Sequence, residues 1–328
     1  MDKVFVTGAD GMLGNSIVRE LINQHYKVKC LIHKGRNNGT LSGLDIEIIE
    51  GDLTKPESWK HEVEDCIFMI NSAACTIVNP SRHKLCYDIN YKAVESLVDI
   101  CTEYKLKRFV QVGTATSFPV GTKLNPGKET GKYSMAKFRM DYMDTKYQAQ
   151  EFLLNAFREK DFPVVIINPT YMIGEYDSLP SSGKLIIAIT KKMLPGYTTG
   201  GKSFAYSKDV AVAIVNAIKL GENGHCYIAG GENLTYKEFF SKVCNVNQVD
   251  AKYKKIPWPI ALVFGFFSSL IARLRGDIPH LNYSMARVAL VNQYYSSNKA
   301  ISVLKMPQTN IEIAIQECTQ WLKENNML

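Results

Sequence analysis

A glycine-rich turn at the start of the chain constrains most strongly what can follow it. Thr7-Gly8-Ala9-Asp10-Gly11-Met12-Leu13-Gly14 comes directly after the apolar run Val4-Phe5-Val6 and opens a helical pattern over 12–23. In that setting Gly8 permits a tight turn, Gly11 lets a pyrophosphate approach the backbone, and Gly14 lets the helix pack closely on the strand. The helix start offers free N–H groups and the positive end of its dipole to phosphate. Glycines also serve turns for conformational reasons alone. The strand before and the helix after are what point to a dinucleotide site, with Asp10, Met12 and Leu13 lining it beside the glycines.

The rest of the first half agrees with that reading. Short β-branched runs at 4–7, 28–32, 46–49, 67–71, 109–112 and 164–168 alternate with helical patterns at 12–23, 90–104 and 141–160. Such alternation predicts an α/β chain, a Rossmann-type doubly wound parallel sheet covered by helices. After Pro169 the texture changes to loops rich in Gly, Pro and Ser, which predicts a smaller, discontinuous C-terminal substrate lobe. The expected division is a dinucleotide-binding domain over 1–168 with returning segments at about 203–247, and a lobe over 169–202 and 248–328.

Composition narrows the function. With 328 residues, 46% of them hydrophobic, the chain can bury a large core. Its net charge of +7 is spread along the sequence, which gives nucleic acid no concentrated patch and suits a phosphate-bearing ligand. The eight cysteines are scattered without a C-x-x-C pair, so they read as buried thiols in a reducing compartment, and no metal is expected. No signal-peptide pattern precedes the first strand, and a cytoplasmic location is expected. The apolar stretch at 258–272, followed by Arg273 and Arg275, is shorter than the roughly 20 residues needed to span a bilayer. It reads as a core helix, a substrate lid or a peripheral membrane contact through 257–275. A homodimer is compatible with the sequence.

Cofactor choice rests on the end of the second strand, where a carboxylate would bind a ribose 2′-hydroxyl and basic groups a 2′-phosphate. His33, Lys34 and Arg36 stand there, so NADP(H) is expected, with NAD(H) the alternative. Two Y-x-x-x-K matches follow, Tyr133 with Lys137 and Tyr142 with Lys146. Residues at i and i+4 share a face only on a helix. The second match begins a long amphipathic helix, whereas the first lies in a glycine- and lysine-rich stretch that reads as a loop. Tyr142 and Lys146 are therefore the favoured pair.

The G-x-x-G-x-x-G turn with Y-x-x-x-K resembles the extended short-chain dehydrogenase/reductase superfamily. Within it the chain is most similar to the dihydroflavonol reductase-like and 3β-hydroxysteroid dehydrogenase-like branch, also termed the NAD-dependent epimerase/dehydratase family. Landmarks in order across nearly the whole chain carry the likeness: Asp52-Leu53, Ser72-Ala73-Ala74, Thr114-Ala115-Thr116, Asn168-Pro169, Asp209-Val210-Ala211 and Trp321.

The resemblance implies that Asp52 and Leu53 meet the adenine, that Ser72, Ala73, Ala74 and Pro169 flank the cofactor, and that Lys146 holds its ribose. Thr114 aligns with the assisting hydroxyl, with Thr116 in reserve. Asn90 resembles a family Asn beside the site and equally reads as a helix N-cap. Asn168 stands where relatives usually carry Arg, which weakens any transfer of substrate identity. Ala115-Thr116 cannot supply the paired carboxylates of the sugar-nucleotide dehydratases. The implied activity is reduction of a carbonyl, or oxidation of an alcohol, on a small and fairly apolar substrate. A nucleotide-sugar epimerase and a non-catalytic NADP-binding sensor are the alternatives.

Overall fold

The strand nearest the N-terminus, β1 (Lys3–Thr7), is apolar on both faces because it lies in the middle of a sheet covered on both sides. Its neighbours are β2 (Lys27–Ile32) and β3 (Glu47–Glu50) in one direction, and β4 (Phe68–Asn71), β5 (Arg108–Val112), β6 (Val164–Pro169) and a later strand, His225–Ala229, in the other. All seven run parallel. The order of connection reverses between β1 and β4, and such a switch point opens a crevice at the carboxyl edge. The structure is a computed structural model and describes residues 1–35, 39–279 and 281–328.

Helices α1 (Met12–Asn23), α2 (Lys84–Tyr87), α3 (Ala93–Glu103) and α4 (Asp141–Lys160) belong to the first half. One face of the sheet is closed by Ile17, Val18 and Leu21 of α1, the other by Val94, Leu97 and Val98 of α3 and Leu153 of α4. Helices 12–23 and 141–160 end where their sequence patterns end, at Gln24 and at left-handed Asp161.

The second half interleaves two bodies. A four-stranded sheet unites β7 (Tyr171–Ile173), β9 (Gly201–Tyr206), β11 (Glu232–Thr235) and β13 (Asn292–Gln293), while β8 (Gly196–Tyr197) pairs with β12 (Lys254–Lys255). Against the larger sheet pack α5 (Gly183–Thr190), α7 (Tyr236–Val246) and α11 (Ile311–Glu324), through a core that includes Phe239, Phe240 and Leu322.

Helix α6 (Ser207–Leu220) returns to cover the large sheet beside α1, and β10, the strand His225–Ala229, completes that sheet as its seventh member. Helix α10 (Asn298–Leu304) adds Ala300 and Leu304 to the same face. The boundaries therefore run more finely than 203–247 and 248–328: β11 and α7 belong with the lobe and α10 with the large body. Helices α8 (Trp258–Arg275) and α9 (Tyr283–Val288) form a pair of their own.

Candidate active site

The three glycines of the first turn face different demands. Gly8 has φ +71°, and a Cβ there would lie 2.6 Å from Ala73 N, so the turn after β1 is pressed against the segment after β4. A Cβ on Gly14 would fall 1.9 Å from Gly8 O, which leaves no room for one in the contact of α1 with the turn. Gly11 meets nothing nearer than Gly8 O at 3.5 Å and borders open space.

Gly11 is the N-cap of α1, so the cap position itself carries no side chain, and the helix's first turn holds no acid. Buried Met12 and Leu13 continue the helix from there. A helix start with glycine at its cap and no acid in its first turn is what a pyrophosphate fits, so these residues suit the expected dinucleotide. Ser72 Oγ donates to Thr7 O at 2.6 Å and fixes the facing Ser72-Ala73-Ala74 segment.

At the end of β2, His33 and Lys34 are exposed, with the His33 ring nitrogen 3.0 Å from Lys34 O. Arg36 and its expected role lie outside the described residues. Asp52 closes its own turn, its Oδ1 accepting from Thr54 N (2.9 Å) and Thr54 Oγ1 (2.7 Å). Those bonds hold its carboxyl below the usual range. Leu53 packs among the apolar residues behind it.

The two tyrosine–lysine matches have different fates. Tyr133 precedes the helix, donates to Asp144 Oδ1 at 2.8 Å and stacks on Tyr147 with centroids 4.4 Å apart. Lys137 is exposed on a separate short turn, and left-handed Arg139 (φ +53°) breaks the chain before α4 begins. Tyr142 and Lys146, by contrast, lie one turn apart on α4. The Tyr142 phenol lies beside the Thr114 hydroxyl.

Thr114 sits just past the carboxyl end of β5, and its own backbone O accepts Asn168 Nδ2 at 3.1 Å. Thr116 bonds Thr114 instead, their hydroxyls 3.1 Å apart. Lys146 is 3% exposed and donates from Nζ to Val112 O at 2.8 Å. Burial pushes its pKa down to about 8. Burial also raises the Tyr142 phenol, against the lowering influence of the neighbouring Thr114 hydroxyl. Desolvation of the phenolate is the larger of the two effects.

Asn90 lies inside a π-turn, Asp88–Lys92, and is not a helix N-cap. Its Oδ1 accepts Cys75 N (2.9 Å), while Nδ2 donates to Cys75 O (3.0 Å) and Thr145 Oγ1 (3.2 Å). Both ends of the amide serve to tie the segment after β4 to α4, which gives Asn90 a positioning role. Pro169 ends β6 in a buried position paired with Ala229.

A polar row at the carboxyl edge went unread in the sequence. Thr7, Asn71 and Gln111 are register partners on β1, β4 and β5. Thr7 Oγ1 donates to Asn71 Oδ1 (2.5 Å), Asn71 Nδ2 to Gln111 Oε1 (2.9 Å), and Gln111 Nε2 to Val112 O (2.9 Å). Val112 O is also the acceptor for Lys146, so the row joins the phosphate turn to the ammonium. Its one sequence signal is a polar residue at or next to the carboxyl end of each of three mainly apolar strands.

Comparison with known proteins agrees with this architecture. Residues 4–230 match the NAD dependent epimerase/dehydratase family. The chain belongs to that family. A protein of Synechocystis sp. named for dihydroflavonol 4-reductase is 23% identical over 99% of this chain and 95% of its own length. A sterol-4-alpha-carboxylate 3-dehydrogenase, decarboxylating, from Dictyostelium discoideum is 24% identical over 84% of this chain and 86% of its own. The solved structure of gox2253 superposes with a TM-score of 0.88 at 22% identity, covering 100% of both chains. The expected class, an NAD(P)-dependent oxidoreductase, accords with these names, and the expected branch is the one to which both relatives point.

Proposed function

We propose that this protein is an NADP(H)-dependent oxidoreductase that reduces a carbonyl, or oxidises the matching alcohol, on a small and fairly apolar substrate. The reading rests on one observation: Thr114, at the carboxyl end of β5, lies beside the Tyr142 phenol, and Lys146, one helical turn on, is held on Val112 O. The start of α1 and Gly8, Gly11 and Gly14 would hold the pyrophosphate, and His33, Lys34 and Arg36 the 2′-phosphate. When bound, the reduced nicotinamide supplies the hydride.

The chain's own residues handle the proton. A phenol held above its ordinary pKa is protonated at neutral pH, which is the state a donor needs. Tyr142 gives that proton to the substrate oxygen, and Thr114 hydrogen-bonds the same atom. Lys146, fixed on Val112 O, turns its remaining donors to the ribose. An apolar substrate is favoured by the surroundings of Tyr142, which packs with Met135, Phe138, Met140, Met143 and Val288. The eight buried, unpaired thiols favour a cytoplasmic location.

The test is consumption of NADPH against a panel of apolar ketones and aldehydes. Tyr142→Phe is expected to lower turnover by about 10²–10⁴-fold with NADPH binding retained. Turnover that survives the substitution overturns the mechanism, and tighter binding of NADH than NADPH overturns the cofactor choice.

A further inference from the structure

Helix α8 inverts the usual distribution of side-chain size. A surface helix ordinarily turns its large apolar residues to the core. Here the buried residues are Ala261, Gly265 and Ala272. They form a narrow stripe against α9, where a Cβ on Gly265 would lie 2.7 Å from Ala286 Cβ. Nine large apolar side chains between Trp258 and Leu274 are instead 42% to 79% exposed. At about 100° per residue, most of them, from Phe266 through Phe267 to Phe264, occupy a sector of roughly half the circumference, centred opposite the stripe. Single exposed apolar residues are ordinary on a monomer, but a contiguous patch of this kind marks an interaction surface.

The charges indicate what covers it. Residues 258–275 contain no Asp or Glu. Exposed Lys254 and Lys255 precede the helix, and exposed Arg273 and Arg275 stand near its end, with Asp277 just beyond. On the helical wheel the two arginines fall on opposite borders of the apolar sector, where long basic side chains reach lipid headgroups while their stems stay in the apolar layer. A second copy of the chain apposed through this face would bring like charges together; an anionic lipid surface complements them.

We infer that α8 docks the protein on an anionic membrane surface, lying in its plane with the apolar sector among the acyl chains. The stripe holding α8 along α9 keeps the helix on the protein body rather than across the bilayer. Docking also orients the candidate site. Asn282, the N-cap of α9, donates to Val78 O at 3.0 Å, and Val288 packs with Met135, Phe138 and Met140 just before Tyr142. The lipid-facing unit thus adjoins the segments that border the Tyr142 phenol. Entry of an apolar substrate from the lipid rests on the function proposed above, whereas docking itself does not.

The experiment is co-sedimentation of the full chain with vesicles of phosphatidylcholine containing about one-third phosphatidylglycerol, and with phosphatidylcholine alone. Binding to the anionic vesicles is expected, at least about tenfold stronger than to neutral ones. Phe264→Ser/Phe267→Ser/Leu270→Ser should abolish binding, and Arg273→Glu/Arg275→Glu should weaken it by more than about tenfold. These side chains point outward, so NADPH binding and thermal midpoint serve as folding controls in both variants. Tyr142→Phe is run alongside, so that docking is read in a protein without the proposed chemistry. Failure to bind either vesicle overturns the inference, as does equal binding by the charge-reversed variant. A dimer that dissociates on the triple serine substitution while the wild-type chain ignores vesicles assigns the face to a second copy instead.

Discussion

Lys146 is a cation that the fold has removed from water, its Nζ donating to the Val112 carbonyl. Its pKa falls from 10.5 to about 8 through burial, so the charged form opposes folding wherever it persists. The unfolded chain binds more protons between those two values. Stability therefore rises with pH across the window, and the full penalty is present below pH 8. A shift of that size corresponds to about 3 kcal/mol, less roughly 1 kcal/mol for the hydrogen bond. Val112 O keeps Gln111 Nε2 as a donor if the amine is removed. Lys146→Met is thus expected to be more stable than the parent by about 2 kcal/mol at pH 7, with the gap closing as pH climbs from 8 toward 10.5. Urea denaturation at a series of pH values reads this directly, and a destabilised variant at pH 7 would contradict the buried-charge account. Loss of turnover with gain of stability would mark the lysine as kept for function.

The unit of strand, turn and helix at the chain's start separates folding from binding within seven residues. Gly14→Ala sets a Cβ against Gly8 O and must push α1 off the turn, so it should destabilise the protein by several kcal/mol and release the dinucleotide. Gly11→Ala meets open space, so thermal stability should hold while affinity for NADPH drops. Calorimetry and a binding titration on the two variants distinguish them, and unchanged NADPH binding in Gly11→Ala would remove the pyrophosphate from this turn. That turn was legible in the sequence because its requirements are local, and so were the strand runs and the helices at 12–23 and 141–160. Other features depend on which strands become neighbours. The row Thr7, Asn71 and Gln111 exists only because the chain reverses between β1 and β4. The short run 225–229 becomes the seventh strand only by docking beside β6. The choice between Tyr133 and Tyr142 turned on whether five residues are helical, and left-handed Arg139 between them is not encoded by glycine or proline.

At the scale of the molecule, the chain passes repeatedly between the large body and the lobe, and the crossings are tied by buried polar contacts. Asp209, in the first turn of α6, accepts Thr309 N at 2.7 Å and Thr309 Oγ1 at 2.8 Å, which anchors the segment leading into α11. Lys208 beside it reaches Glu317 on α11 at 2.7 Å. Asp209 is 6% exposed and Thr309 half-buried, so removing the carboxylate takes the acceptor from a partly buried N–H and hydroxyl. Asp209→Ala is expected to lose about 1–2 kcal/mol, the two hydrogen bonds to Thr309 being partly offset by the burial that raises the carboxyl's pKa. Because the bodies share α6, β10 and α10 in alternation with lobe segments, the loss should appear as one transition moved to lower temperature. Trp59 lies in the core of the large body and Trp321 in that of the lobe, so each reports one side. Single-tryptophan versions carrying Asp209→Ala should melt at coincident midpoints. A lobe signal that melts first would mean that the two bodies are separable and that Asp209 is what couples them.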